Sequence, residues 1–166
     1  MADPMPSLFS EEWGPSAVIS DDGLYCYDLQ RRWDEGPVMA FIMLNPSTAD
    51  TELDDPTISR CSSFARSEGF SGIVVRNLFA YRTPSPTALR NAARAGIDVI
   101  GPDNDEWIAD LFGAAARFAA PLVVAAWDHK TWPLVREAEK AVLDRWGARL
   151  HAASWTLNPE DQRSLR

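Results

Sequence analysis

The sequence predicts an α/β fold: a three-layer sandwich with a mostly parallel four-stranded sheet and an N-terminal β-hairpin. The first observation is three short apolar runs, at residues 38–44, 72–78 and 122–126, which are typical of strands buried on both faces. The second is that helix-forming segments long enough for crossovers separate these runs, which favours parallel pairing. The third is an Asp-Asp-Gly turn between apolar residues near the N-terminus, which predicts the hairpin.

The other elements follow from local signals. Residues 1–15 lack periodicity and predict an irregular arm before a single domain over residues 16–166. Asp55 before Pro56 predicts a helix start, because aspartate caps helices and a proline in the first turn needs no N–H. Asp103 or Asn104 is expected to cap a second helix. The remaining expectations are a loop at 83–86, a third helix at 132–146 and a fourth strand at 149–155.

Composition excludes several classes of protein. The 166 residues are 46% hydrophobic and 24% charged, as in ordinary globular proteins. No apolar run approaches the roughly 20 residues that span a bilayer, and the N-terminus lacks the features of a signal peptide. Two cysteines cannot build a disulfide framework. We therefore expect a cytoplasmic domain with reduced thiols and no membrane partner.

Charge argues against bulk electrostatic binding to nucleic acid, because the net charge is -8. Residues 60–94 nevertheless carry six arginines and one acid. Two interpretations stay open: a solvated face with a few ion pairs, or a local anion-binding patch suited to phosphate or a short stretch of nucleic acid.

Polar residues follow the predicted strands, and ligands of such folds bind outside the carboxyl ends of the strands. After the first strand, Asn45 is suited to hold a water or a carbonyl oxygen, Ser47 to bind substrate, and Asp50 to act as a general base. The alternative is a helix-capping turn, with Asp50, Asp54 and Asp55 as capping acids. No metal site is predicted, because no histidine or further carboxylate accompanies these acids at a ligand spacing.

Asn77 stands in the second apolar run, where a buried amide must find a partner. Its one acceptor and two donors suit the edge of a pyrimidine or an amide. The alternative is a core asparagine bonded to neighbouring backbone. Tyr81 and Arg82 follow in the same segment and are predicted to bind substrate.

Trp127 and His129 follow the third run. His129 is the candidate acid or electrostatic contact and Trp127 a substrate contact, whereas His151, within a predicted strand, is expected to be structural. No Gly-x-Ser-x-Gly elbow, Gly-x-Gly-x-x-Gly fingerprint or Walker-type loop is present. The sequence therefore predicts no cofactor.

Several segments together resemble the bacterial and phage family called domain of unknown function 1643, a resemblance that implies no particular activity. They are LNPSTAD at 44–50, DDPTI at 54–58, NLFAYR at 77–82, GP-x-ND at 101–105 and AW-x-H at 126–129. The order of elements also resembles, more distantly, the uracil-DNA glycosylase superfamily. That resemblance implies that Asn45 holds the attacking water and Asn77 reads a base edge.

Two departures from the glycosylase pattern bear on catalysis. Leu44 stands where a glycine is usual, and the C-terminal His-Pro signature is replaced by LNPE at 157–160. Two functional hypotheses follow. The first is an enzyme acting on a base or nucleotide, in its most concrete form a hydrolase of N-glycosidic bonds, with a nucleotide or short DNA as ligand. The second is a binding or interaction module that keeps the fold without the chemistry.

Overall fold

The computed structural model describes residues 14–47, 54–83, 85–117 and 123–126, with residues 133, 135–138, 140, 141 and 144. The last group is helical. None of the helices in this part of the chain is long and apolar enough to cross a membrane. The elements, in chain order, are β1 (Gly14–Ile19), β2 (Cys26–Arg32), β3 (Val38–Met43), α1 (Pro56–Ser67), β4 (Gly72–Asn77), α2 (Pro86–Arg94), α3 (Asn104–Arg117) and β5 (Val123–Ala125).

The strands form one sheet in the order β1-β2-β4-β3-β5. β3 pairs in parallel with both β4 and β5, which confirms that the three apolar runs are adjacent parallel strands. β2 pairs antiparallel with β1 and with β4, so the hairpin is part of the sheet. The described sheet thus has five strands and equal numbers of parallel and antiparallel pairings, which differs from the expected mostly parallel sheet of four. The predicted strand at 149–155 lies outside the described residues.

The hairpin joins the sheet because β2 has apolar side chains to bury. Cys26 and Leu29 pack in the core cluster that also holds Val75 of β4. A β4 edge facing water would leave a row of backbone groups unpaired, and β2 satisfies them. The Asp-Asp-Gly turn and the strand-forming residues of 24–29 predicted a strand here, but strand order depends on contacts distant in sequence.

Helices cover both faces of the sheet, so the described elements form three layers. Alternate side chains of a strand point to opposite faces. One face carries Met39, Phe41, Ile73 and Val75 against Ile58, Cys61 and Ala65 of α1. The other carries Ala40, Ile42 and Val74 against Leu89 of α2 and Ile108, Leu111 and Phe112 of α3.

One of the three helix starts, that of α2, differs from the sequence prediction. Asp55 caps α1 as expected, since its side chain accepts a hydrogen bond from the Ile58 amide. The expected loop at 83–86 instead begins α2: Ser85 accepts from the Ala88 amide, and Pro86 takes the first helical position. α3 begins at Asn104, as expected, directly after Asp103, whose carbonyl accepts from the Trp107 amide at 3.2 Å. The Asn104 side chain turns towards β4 instead of capping the helix.

A β-bulge in β2 sets the buried polar contacts of the α3 face. Val18 pairs with Asp28 and Ile19 with Cys26, which leaves Tyr27 as the extra residue. Tyr27 and Asp28 consequently both face α3. The Tyr27 ring stacks on Trp107 at 6.3 Å, and the Asp28 carboxylate lies 2.8 Å from Nε of Arg76. The bulge thus supplies the counter-ion for an arginine that is fully buried.

Candidate functional site

The chain segments that leave β3 and β4 stay side by side beyond the strands. Met43 and Asn77 are register partners, and the Leu78 amide donates to the Met43 carbonyl at 2.9 Å. Further on, the Thr83 amide donates to the Pro46 carbonyl at 3.1 Å. The carboxyl ends of the two strands therefore bring the Asn45 and Asn77 segments together at one end of the sheet.

Asn77 is the last residue of β4 and is only 4% exposed. Strand alternation places its side chain on the face of Ile73 and Val75, towards α1. Its amide oxygen Oδ1 is buried and has no hydrogen-bond partner within the described chain. An unpaired buried acceptor costs roughly 1–3 kcal/mol, so a ligand N–H at this point would gain that free energy.

Asn45 is half-buried, and its amide nitrogen is fixed in place. Nδ2 donates to the carbonyls of Pro46 and Thr83, each at 3.2 Å. All the hydrogen bonds that the Asn45 side chain makes to described residues use this nitrogen. The bonds orient the side chain and leave its oxygen as the group able to accept a hydrogen bond from water or ligand.

Ser47 and the acids around it contribute to the start of α1. The Ser47 hydroxyl donates to the Asp55 carboxylate, whose other oxygen accepts from the Ile58 amide at 2.8 Å. Asp54 pairs with Arg31 at 2.7 Å. These contacts favour the capping interpretation for Asp55 and an ion-pair role for Asp54. Across the described ranges, no group of three or more His, Cys, Asp or Glu side chains is placed to hold a metal ion.

Tyr81 and Arg82 lie against the β1–β2 turn. Tyr81 forms an isolated antiparallel bridge with Tyr25, and their rings meet edge to face at 5.9 Å. The Arg82 amide donates to the Leu24 carbonyl, and its Nη1 donates to the Gly23 carbonyl at 3.3 Å. The guanidinium is thus held at the same end of the sheet as the Asn45 and Asn77 segments.

The two cysteines are not candidates for a nucleophile. Burial raises the pKa of Cys26 to about 11, and the positive charge of Arg82 opposes that shift only in part. Burial, reinforced by the negative charge of Asp55, raises the pKa of Cys61 to about 12. Since the thiolate is the reactive form, both side chains behave as core residues at neutral pH.

The arginines between 60 and 94 do not form one anion-binding patch. Arg76 is fully buried on the α3 face, where Asp28 and Asp110 neutralise it. Arg60 and Arg66 belong to α1, whereas Arg90 and Arg94 belong to α2 on the opposite side of the sheet. Closeness in sequence did not predict closeness in space, because α1 and α2 lie on opposite faces of the sheet.

Asn104 holds the backbone at the end of β4, whereas the sequence predicted it only as a possible helix cap. It is fully buried, and its Nδ2 donates to the carbonyls of Asn77 at 3.0 Å and Leu78 at 3.1 Å. These bonds hold the backbone where β4 ends, beneath the Asn77 side chain. The available signal was its place in the GP-x-ND motif at 101–105.

Asp50, Trp127 and His129 lie outside the described residues, so their predicted roles stay predictions.

A family model described as "Protein of unknown function (DUF1643)" matches residues 26–164. The chain therefore belongs to this family, as its motifs predicted. We found no match to the chain among curated proteins or among solved structures.

Proposed function

We propose that this DUF1643 protein recognises a nucleobase-containing ligand, a nucleotide or short DNA, at the carboxyl ends of β3 and β4. The observation that carries the proposal is the buried Oδ1 of Asn77, to which none of the described residues donates a hydrogen bond. Asn45 adds a second oriented amide on the neighbouring segment. Asn77 is the last residue of β4, and two hydrogen bonds orient the Asn45 side chain, which favours recognition by a preformed site.

A nucleobase edge suits a primary amide because it presents a donor beside an acceptor. The N3–H of uracil or thymine would donate to Asn77 Oδ1, and an adjacent base carbonyl would accept from Nδ2. A ligand without that N–H would leave the buried oxygen unpaired. Discrimination against such an analogue arises mainly from this penalty.

The resemblance to uracil-DNA glycosylases supports a finer proposal, hydrolysis of an N-glycosidic bond. In this reaction water adds to the anomeric carbon of the sugar while the base leaves with the bonding electrons and takes up a proton. Asn45 and Asp50 would hold and activate the water, and His129 would stabilise the departing base. Ser47, Tyr81, Arg82 and Trp127 would contact the substrate. A base within duplex DNA would first have to be flipped out of the stack.

Calorimetric titration with nucleosides tests recognition. We expect Asn77→Ala to weaken binding of the best nucleoside by about 10- to 100-fold, the equivalent of losing one hydrogen bond to a buried group. Asn91→Ala is the matched control, because Asn91 is exposed on α2. It should leave the affinity unchanged. No binding of any nucleoside or nucleotide, or equal affinities of the two variants, would refute recognition at Asn77.

A turnover assay distinguishes a hydrolase from a binding module. If the protein hydrolyses its ligand, Asn45→Ala should lower kcat more than it raises the dissociation constant, because orienting water acts mainly in the transition state. Chromatography detects any free base that is released. A ligand that binds without release of free base would identify the protein as a non-catalytic binding module instead.

A further inference from the structure

The two sides of Asn77 differ in how far the neighbouring side chains are exposed. On the side of β2, Cys26 packs in the core cluster between the sheet and α1 and is only 2% exposed. Its amide donates to the Ala80 carbonyl at 2.9 Å, which holds it against the segment that follows β4. On the side of β3, Met43 is partly exposed. A ligand that reaches the buried Oδ1 of Asn77 therefore approaches over β3, because Cys26 fills the side of β2.

Met43 lies next to Asn77 on the same face of the sheet. The two residues are register partners of a parallel strand pair, so their side chains point to the same side. Neighbouring strands are about 4.8 Å apart, which brings the Met43 thioether within reach of a group bonded to the Asn77 amide. Packing against the cluster on the α1 side supports the Met43 side chain from below.

Ala126 extends this surface towards β5. The pairing of β5 with β3 runs as far as the partners Ile42 and Ala125. The Ala126 amide donates to the Ile42 carbonyl at 2.8 Å, so Ala126 continues the pairing beside Met43. Both side chains are partly exposed and pack against the cluster on the α1 side. Met43 and Ala126 thus form an apolar shelf with the Asn77 amide at one end.

An amide beside an apolar shelf matches the two kinds of surface that a planar base presents. The edge of a base carries hydrogen-bonding groups, and each of its faces is an apolar π-surface. A ring whose N–H meets Asn77 Oδ1, and which extends over β3, lays one face on the Met43 thioether. Methionine sulfur makes favourable contacts with aromatic rings. A non-planar amide could form the hydrogen bond without gaining this contact.

We propose that Met43 is a specificity-determining residue, which selects a flat aromatic base by packing against its face, with Ala126 extending the surface. The inference rests on the proposed function, because it requires the edge of the base to bind at Asn77. It adds the shape of the ligand that the site accepts and the direction in which the ring lies, over β3 towards β5.

Calorimetric titration with uridine and with dihydrouridine tests the proposal. Dihydrouridine keeps the N3–H and both carbonyls of uridine, but its saturated ring is puckered and not aromatic. We expect the parent protein to bind uridine about three- to tenfold more tightly than dihydrouridine, as for a sulfur–aromatic contact, and Met43→Ala to abolish this preference. Met43→Leu keeps an apolar side chain of similar volume and should retain most of it.

Two further variants separate this role from a general loss of structure. Asn77→Ala should weaken binding of uridine and dihydrouridine to the same degree, because both present the same edge. Phe64→Ala removes a partly buried side chain from the same cluster, but in the last turn of α1, away from the carboxyl ends of the strands. It should leave both affinities unchanged.

Equal affinities of the parent protein for uridine and dihydrouridine would overturn the inference, and so would a preference for uridine that Met43→Ala retains. If Asn77→Ala still weakens uridine binding in either case, recognition at Asn77 stands without the contact to Met43. Failure of the parent protein to bind uridine would also overturn the inference. Failure to bind any nucleoside or nucleotide would refute the proposed function itself.

Discussion

Replacing Arg76 with methionine is expected to lower the free energy of unfolding by about 3–5 kcal/mol, as for other buried ion pairs that lose one partner. The guanidinium is fully buried, with Nε 2.8 Å from the Asp28 carboxylate and Nη2 3.4 Å from that of Asp110. It also donates to the Trp107 carbonyl. Methionine fills similar volume but leaves Asp28, itself 2% exposed, without its counter-ion.

Urea unfolding followed by circular dichroism measures this loss. Arg94→Met is the control, since Arg94 is exposed in the last turn of α2 and should change stability little. Adding Asp28→Asn to Arg76→Met should recover part of the loss, because the buried charge is then removed. A loss below about 1 kcal/mol in Arg76→Met, the range of exposed ion pairs, would contradict the assignment of a buried pair.

Asn104→Ala is expected to destabilise the protein by about 2–4 kcal/mol, since two buried backbone acceptors lose their donor and a cavity remains. The Asn104 amide bonds to the carbonyls of Asn77 and Leu78. The loss should also weaken nucleoside binding, because the backbone that carries Asn77 is no longer held.

Thermal unfolding and calorimetric titration of the same variant test both effects. Asn91→Ala, with the same chemical change at an exposed helical position, provides the matched control. Unchanged stability would show that the carbonyls have other partners. A destabilised variant with unchanged nucleoside affinity would show that Asn104 supports the fold but not the site.

The parallel centre of the fold was predictable because its signals are local. An unbroken apolar run such as 38–44 specifies a strand buried on both faces, and a cap followed by proline at 55–56 specifies a helix start. The same reasoning predicted that the Asn45 and Asn77 segments lie at one end of the sheet, since adjacent parallel strands have their carboxyl ends side by side.

The remaining features depend on contacts between distant segments. Nothing local in 24–29 shows that β2 pairs with β4 or that a bulge turns Asp28 towards Arg76. Asparagine is a common helix-capping residue, but the side-chain hydrogen bonds of Asn104 go to carbonyls of residues more than 25 positions earlier. The arginines between 60 and 94 are close in sequence, but the fold places those of α1 and those of α2 on opposite faces of the sheet.

The most direct test of the central claim is nuclear magnetic resonance of the side-chain amide of Asn77 during nucleoside titration. The Nδ2–H signals of Asn77 are assigned as those that disappear from the spectrum of the Asn77→Ala variant. If the ligand binds at Asn77, these signals shift as nucleoside is added, and the shift saturates with the dissociation constant that calorimetry gives. The side-chain signals of the exposed Asn91 should not shift. Saturable binding of a nucleoside with the Asn77 signals unmoved would contradict the account.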